Sequence, residues 1–219
     1  PWDNLLTEVA LIGSLLPSLE RLPRIQASEA PSSLIIFLCG WLLFRVMLGM
    51  GLAKFRRWDE RTREGTYLYH FLEWQPFPCA PSALLRELPM WIHKVGLVSL
   101  WCVEIVLPFF IFGSPELRII AAVAFIGLQL FIWWTGNFGT FNLLTIGLAC
   151  VLILPLDFGN AVSTFTEWGG IEYCACLYVV GSIPFLFVTT TWTGGSWMYR
   201  PSMYRVPDIC RPLLNGYFA

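Results

Sequence analysis

Charge is what this chain has least of. Asp, Glu, Lys and Arg together make up 13% of its 219 residues, against about 25% in an ordinary soluble domain. A net charge of −1 supplies no basic field to hold a polyphosphate backbone, which sets nucleic-acid binding aside. Histidine is scarcer still: His70 and His93 are the only two, and neither has a Cys or an acidic residue at a spacing typical of a metal site, so no metal is expected. The seven cysteines include no C-x-x-C. They are odd in number, Cys39, Cys102 and Cys150 lie inside apolar runs, and Cys174 and Cys176 form only a C-x-C, which argues against a disulfide framework. The chain also lacks a G-x-S-x-G elbow, a P-loop and a Rossmann fingerprint, so no catalytic residue is expected.

What the chain has instead is apolar length. Hydrophobic residues make up 56% of it and its mean hydropathy is +0.63, the composition of a polytopic membrane protein. About 20 helical residues cross a hydrocarbon core of about 30 Å. The apolar runs at 33–53, 95–112, 119–135, 140–156 and 173–192 therefore predict an all-α fold of about five transmembrane helices. From Ile119 to Leu156 no charge occurs. One helix of that length would reach about 57 Å, so the run must fold back, and Thr135-Gly136-Asn137-Phe138-Gly139 has the turn chemistry to do it.

Around these spans lie a partial N-terminal helix or interfacial segment at 1–30, a connector at 54–94 and a tail at 193–219. Leu5–Leu16 is too short for a crossing and reads either as interfacial or as the tail of an earlier span, the chain being expected to be part of a longer precursor. Lys54, Arg56, Arg57, Arg61, Arg63, Arg86 and Lys94 crowd the connector. Five crossings place them on the same side as Arg200, Arg205 and Arg211, opposite Arg21, Arg24 and Arg118, which favours a cytosolic, matrix or stromal connector.

Polar residues set among apolar ones are costly and need partners. Arg45 in the first span and Glu104 in the second fall near the same depth in antiparallel helices, which predicts an intramembrane ion pair between them, set above a proton relay. Gln129, Asn137 and Asn142 form a polar motif around the fold-back turn. Gly49 and Gly51 read as small residues that let helices approach. In the connector, Trp74, Gln75, Pro76, Phe77 and Pro78 form a stretch whose prolines fix an extended backbone. It is either a structural strap or a partner-binding one.

The ordered words FRVMLGMGLAKFR, YHFLEWQPFPCAPSALLRELPMWIHK, VEIVLPFFIF and LQLFIWWTGNFGTFNLLTI resemble the membrane region of the lipase maturation factor family. The similarity runs from about Leu5 to Asp157 and is carried by Arg45, Gly49, Gly51, Lys54, His70, Glu73, Gln75, Pro76, Pro78, Pro89, Trp91, His93, Glu104, Pro108, Gln129, Gly136, Asn137, Phe141, Asn142 and Thr145. The resemblance implies a non-catalytic assistant in the endoplasmic reticulum membrane, with a secreted lipase as client and no cofactor. It also implies a C-terminal soluble domain, absent from this chain. An alternative stays open: a structural accessory subunit of a photosystem or respiratory complex, in a thylakoid or mitochondrial inner membrane. There the chain would contact lipid, chlorophyll or neighbouring subunits, with His70 or His93 as a pigment ligand. A third reading, an enzyme of the distantly similar vitamin K-dependent carboxylase type, would rest on Lys94 beside His93.

Overall fold

Long uninterrupted runs of Leu, Ile, Val, Phe and Ala satisfy every backbone group within the segment only as helices, the one option besides a closed barrel in hydrocarbon. The computed structural model, which describes residues 2–14, 33–56, 60–73, 79–136, 140–154, 156 and 174–183, is all-α, with no strand among those residues. Its elements are α1 (Trp2–Ser14), α2 (Ser33–Arg56), α3 (Glu60–Glu64), α4 (Tyr67–Glu73), α5 (Ala80–Arg86), α6 (Met90–Trp101), α7 (Pro115–Thr135), α8 (Thr140–Val151) and α9 (Cys174–Ile183). Beyond Trp101, α6 continues as a π-helical turn, Cys102–Val106, and then a 3-10 stretch, Leu107–Phe112.

Among the described residues three helices are long and apolar enough to cross a membrane: Ser33–Leu52, Met90–Phe112 and Pro115–Thr135. The five crossings read from the sequence are therefore not all present at full length among the described residues. α8 was expected over 140–156, but it ends at Val151 and its last carbonyls, of Ala149, Cys150 and Val151, accept turn hydrogen bonds from Leu152, Ile153 and Leu154. Pro155 follows, and a proline disfavours helix in the residue before it. The second and third spans start earlier than expected, at Met90 and Pro115, because Pro89 and Ser114 with Pro115 are good helix starts. Arg118 consequently lies inside α7 rather than in a loop. It is buried and donates from Nη2 to the Leu154 carbonyl at 2.9 Å, satisfying a helix-end acceptor that water would otherwise have to reach.

α2 is the central element. Leu38, Leu42, Leu43 and Met47 are sealed from solvent, and the core they anchor draws in Leu5 and Ile12 of α1, Phe125 of α7, Leu148 of α8 and Ala175 of α9. Gly40 of α2 sits against Ile111 and Leu152, and Phe44 packs edge-on to Phe109 and Phe112. α9 runs antiparallel to α2, since Trp41 Nε1 donates to Ser182 Oγ at 2.9 Å and Arg45 meets Tyr178 one turn further along. A fifth successive crossing would run parallel to the first, so the expected fifth pass over 173–192 is corrected in direction. α1 is apolar and packs along α2 and α8, bordering with them a groove of about 350 Å³.

The connector is helical on either side of the strap. Gly65, at φ +73°, makes the left-handed turn from α3 to α4 that a side chain would strain, and it lies over the Lys94 stem. α4 packs on the start of α6, with Tyr69 edge-on to His93 at 5.7 Å.

Candidate functional site

Two partly buried ion pairs hang on α2, and neither is the one expected. Arg45 does not pair with Glu104. Its Nη1 donates to Glu8 Oε2 at 2.7 Å and to the Tyr178 hydroxyl at 3.1 Å, and its Nη2 approaches Glu8 Oε1 at 3.4 Å. The Tyr178 hydroxyl itself donates to Glu8 Oε2, and the Arg45 guanidinium lies 5.6 Å from the Tyr178 ring centre. One cation thereby ties α1, α2 and α9 together through a closed set of hydrogen bonds. A charge in an apolar setting requires such closure, because removing one member strands the others.

Glu104 takes Lys54 instead. Its side chain is 0% exposed, and Lys54 Nζ donates to both carboxylate oxygens, to Oε2 at 2.6 Å. Helix direction explains the exchange of partners: α2 and α6 are antiparallel, and the level of Glu104 on α6 matches the last turns of α2, not Arg45 nine residues earlier.

Local sequence builds this second pair from both sides. Pro108 stands four residues after Glu104 and has no N–H to give to the Glu104 carbonyl, so the α ladder fails there. The chain widens into the π turn, with the Leu107 N–H reaching back to the Cys102 carbonyl, and Glu104 lies within it. π turns of this kind recur at functional positions. On α2, Gly51 faces the same turn: a Cβ there would come within 2.7 Å of Ile105 Cγ1 and 2.9 Å of Glu104 Cβ. The absent side chain lets the helices touch, and Lys54, one turn on, is carried to the carboxylate.

The other sequence-predicted residues are dispersed. Gln129 and Asn142 are fully buried on α7 and α8, and none of their amide atoms has a hydrogen-bond partner among the described residues. Asn137 lies outside the described residues, as do Trp74, Gln75, Pro76, Phe77 and Pro78. The strap's exit is described. Cys79 caps α5, with its N–H donating to Ser82 Oγ at 3.3 Å, and its thiol donates to the Thr135 carbonyl at 2.8 Å. The connector is thus fastened to the end of α7, where the fold-back turn begins. His70 sits 3.6 Å from Glu73, which also faces Arg86 at 3.9 Å. His93 is 3% exposed, with Nε2 buried and unpartnered. Among the described residues no three His, Cys, Asp or Glu side chains gather as a metal site would need.

Glu8, Tyr178 and Ser182 were missed by sequence reasoning. Glu8 and Tyr178 lie far from Arg45 in sequence, and no local spacing links them. Lys54 reads from sequence as a connector cation and was missed as the partner of Glu104; the signal that could have found it is Gly51-x-x-Lys54, which puts a small residue and a cation on one helix face.

Residues 1–157 match the lipase maturation factor transmembrane domain. The chain belongs to the lipase maturation factor family. It is 34% identical over 151 residues to mouse lipase maturation factor 1, covering 68% of this chain and 26% of that protein. To human lipase maturation factor 2 it is 31% identical over 184 residues, covering 76% of this chain and 26% of that protein. The chain thus spans about a quarter of the length of these relatives. No solved structure matches it. Both ion pairs fall within the matched region except for Tyr178, which lies beyond it. The likeness lends no support to a photosystem or respiratory subunit.

Proposed function

We propose that this chain is the membrane core of a lipase maturation factor, a non-catalytic assistant that helps secreted lipases fold and assemble in the endoplasmic reticulum membrane. The observation that carries the reading is the family match over residues 1–157, which includes Arg45, Lys54 and Glu104. The geometry supports a scaffold role. Arg45 is engaged by Glu8 and Tyr178, and Glu104 by Lys54, so the buried charged groups hold helices to one another and are not presented to a reactant. No cofactor enters this reading. The client is a secreted lipase, and the bilayer is the other partner. The test is affinity recovery of the detergent-solubilised protein from cells secreting a dimeric lipase. Newly made, not yet active lipase should co-purify, and a secreted protein of another class should not. Equal recovery of both would overturn the proposal.

A further inference from the structure

A short apolar ridge is exposed at the corner between α5 and α6. Leu84 is 72% and Trp91 65% exposed, and Leu88 and Met90 between them are also exposed. In a soluble domain such a cluster would mark a partner's footprint. Here its neighbour along the chain identifies what it meets. Trp91, Val95, Val98, Val106 and Phe109 are all exposed on the Met90–Phe112 span and follow one another at helical spacing, so they form that span's lipid-facing stripe. Leu84 and Leu88, on the connector just before that span, are exposed in their turn.

Two fixed ends set the posture of α5. It leaves Cys79, whose thiol is hydrogen-bonded to the Thr135 carbonyl at the end of α7, and it arrives at Met90, the first residue of the spanning α6. The end of α7 and the start of α6 belong to the same membrane face, because the two spans follow one another through a tight turn at Gly113 and run in opposite directions. The helix between those ends therefore lies along that face. Arg86, two residues after Leu84, is turned from the ridge and pairs with Glu73 at 3.9 Å, and it also holds Glu87, which lies one turn after Leu84 at the edge of the ridge, at 3.2 Å. Exposed apolar residues bordered by a charged pair, with a Trp at the start of the span, are the marks of a segment seated at the headgroup level.

We propose that α5 and the Leu88–Trp91 corner form an interfacial foot, embedded in the lipid headgroup layer and fixing the depth at which the strap's exit and the fold-back turn sit. The foot takes the bilayer as its partner, not a second protein. It rests on the membrane character of the chain and not on the lipase reading, so either can fail without the other.

The test places an environment-sensitive fluorescent amino acid at position 84, and separately at 91, in the full chain reconstituted into phosphatidylcholine vesicles. Positions 84 and 91 are exposed, so the probe displaces no core contact. Doxyl-labelled phosphatidylcholine should quench positions 84 and 91 strongly and aqueous iodide weakly. Strong iodide quenching at 84 would overturn the proposal. So would protection of 84 from both quenchers, the signature of a protein seated on the ridge.

Discussion

Gly51 and Lys54 lie one turn apart on α2, and the first makes the second's contact possible: the bare α-carbon meets the π turn at Glu104, and the ammonium closes on the carboxylate. A larger residue at 51 would separate the helices before the ion pair could form. Gly51→Ala is therefore expected to cost about 1–3 kcal/mol by overpacking. Gly127→Ala in α7, where an added Cβ meets nothing within 4 Å, should be neutral or stabilising by up to about 1 kcal/mol through helix propensity. Unfolding of both variants in the same mild detergent checks the contrast.

Lys54→Met leaves Glu104 buried and alone, and should destabilise the fold by about 3 kcal/mol or more. Adding Glu104→Leu should restore much of the loss, since an apolar pair of similar volume has no charge to desolvate. A double-mutant cycle reads the coupling directly. Additive losses would mean that the contact contributes nothing beyond its separate parts.

The partner exchange gives a second cycle. Arg45→Leu and Glu8→Leu should be strongly non-additive, coupling by about 1–3 kcal/mol, whereas Arg45→Leu and Glu104→Leu should add to within about 0.5 kcal/mol. Coupling in the second cycle but not in the first would restore the pairing read from sequence. Tyr178→Phe removes a hydroxyl that both gives and receives a hydrogen bond in this set, and should cost about 1–3 kcal/mol.

Pro108→Ala returns an N–H to the position facing the Glu104 carbonyl. In an isolated helix the exchange would stabilise by about 3 kcal/mol. Here it should lower stability, because a regular α turn would rotate Glu104 away from Lys54. A raised melting temperature would show that the π turn is incidental to the ion pair.

The fold class was legible because its cause is local. Apolar length alone requires helices, and the charge-free stretch from Ile119 to Leu156 had to reverse, which it does between α7 and α8. Partner choice was less legible because it depends on depth and direction. Counting residues into each span put Arg45 level with Glu104 by taking α2 to end where α6 begins, but the two helices are staggered: Glu104 and Ile105 face Gly51 and Ile111 faces Gly40, so the first turns of α6 run past the end of α2. Glu8 and Tyr178 come from short apolar segments at either end of the chain, and only their packing against α2 reveals that both face Arg45. The family words had already singled out Lys54 and Pro108, without the geometry that makes them serve Glu104.

The proposed role in lipase maturation needs an intact membrane core, and the Lys54–Glu104 pair is one of the contacts that hold that core together. The most direct measurement is secreted lipase activity per unit lipase protein in cells stripped of their own maturation factors and supplied with the protein carrying this chain. The native protein should raise that specific activity. Lys54→Met should abolish the rise, and Lys54→Met with Glu104→Leu should recover it in part, each at matched abundance. No rise with the native protein, at normal expression and membrane insertion, would contradict the account.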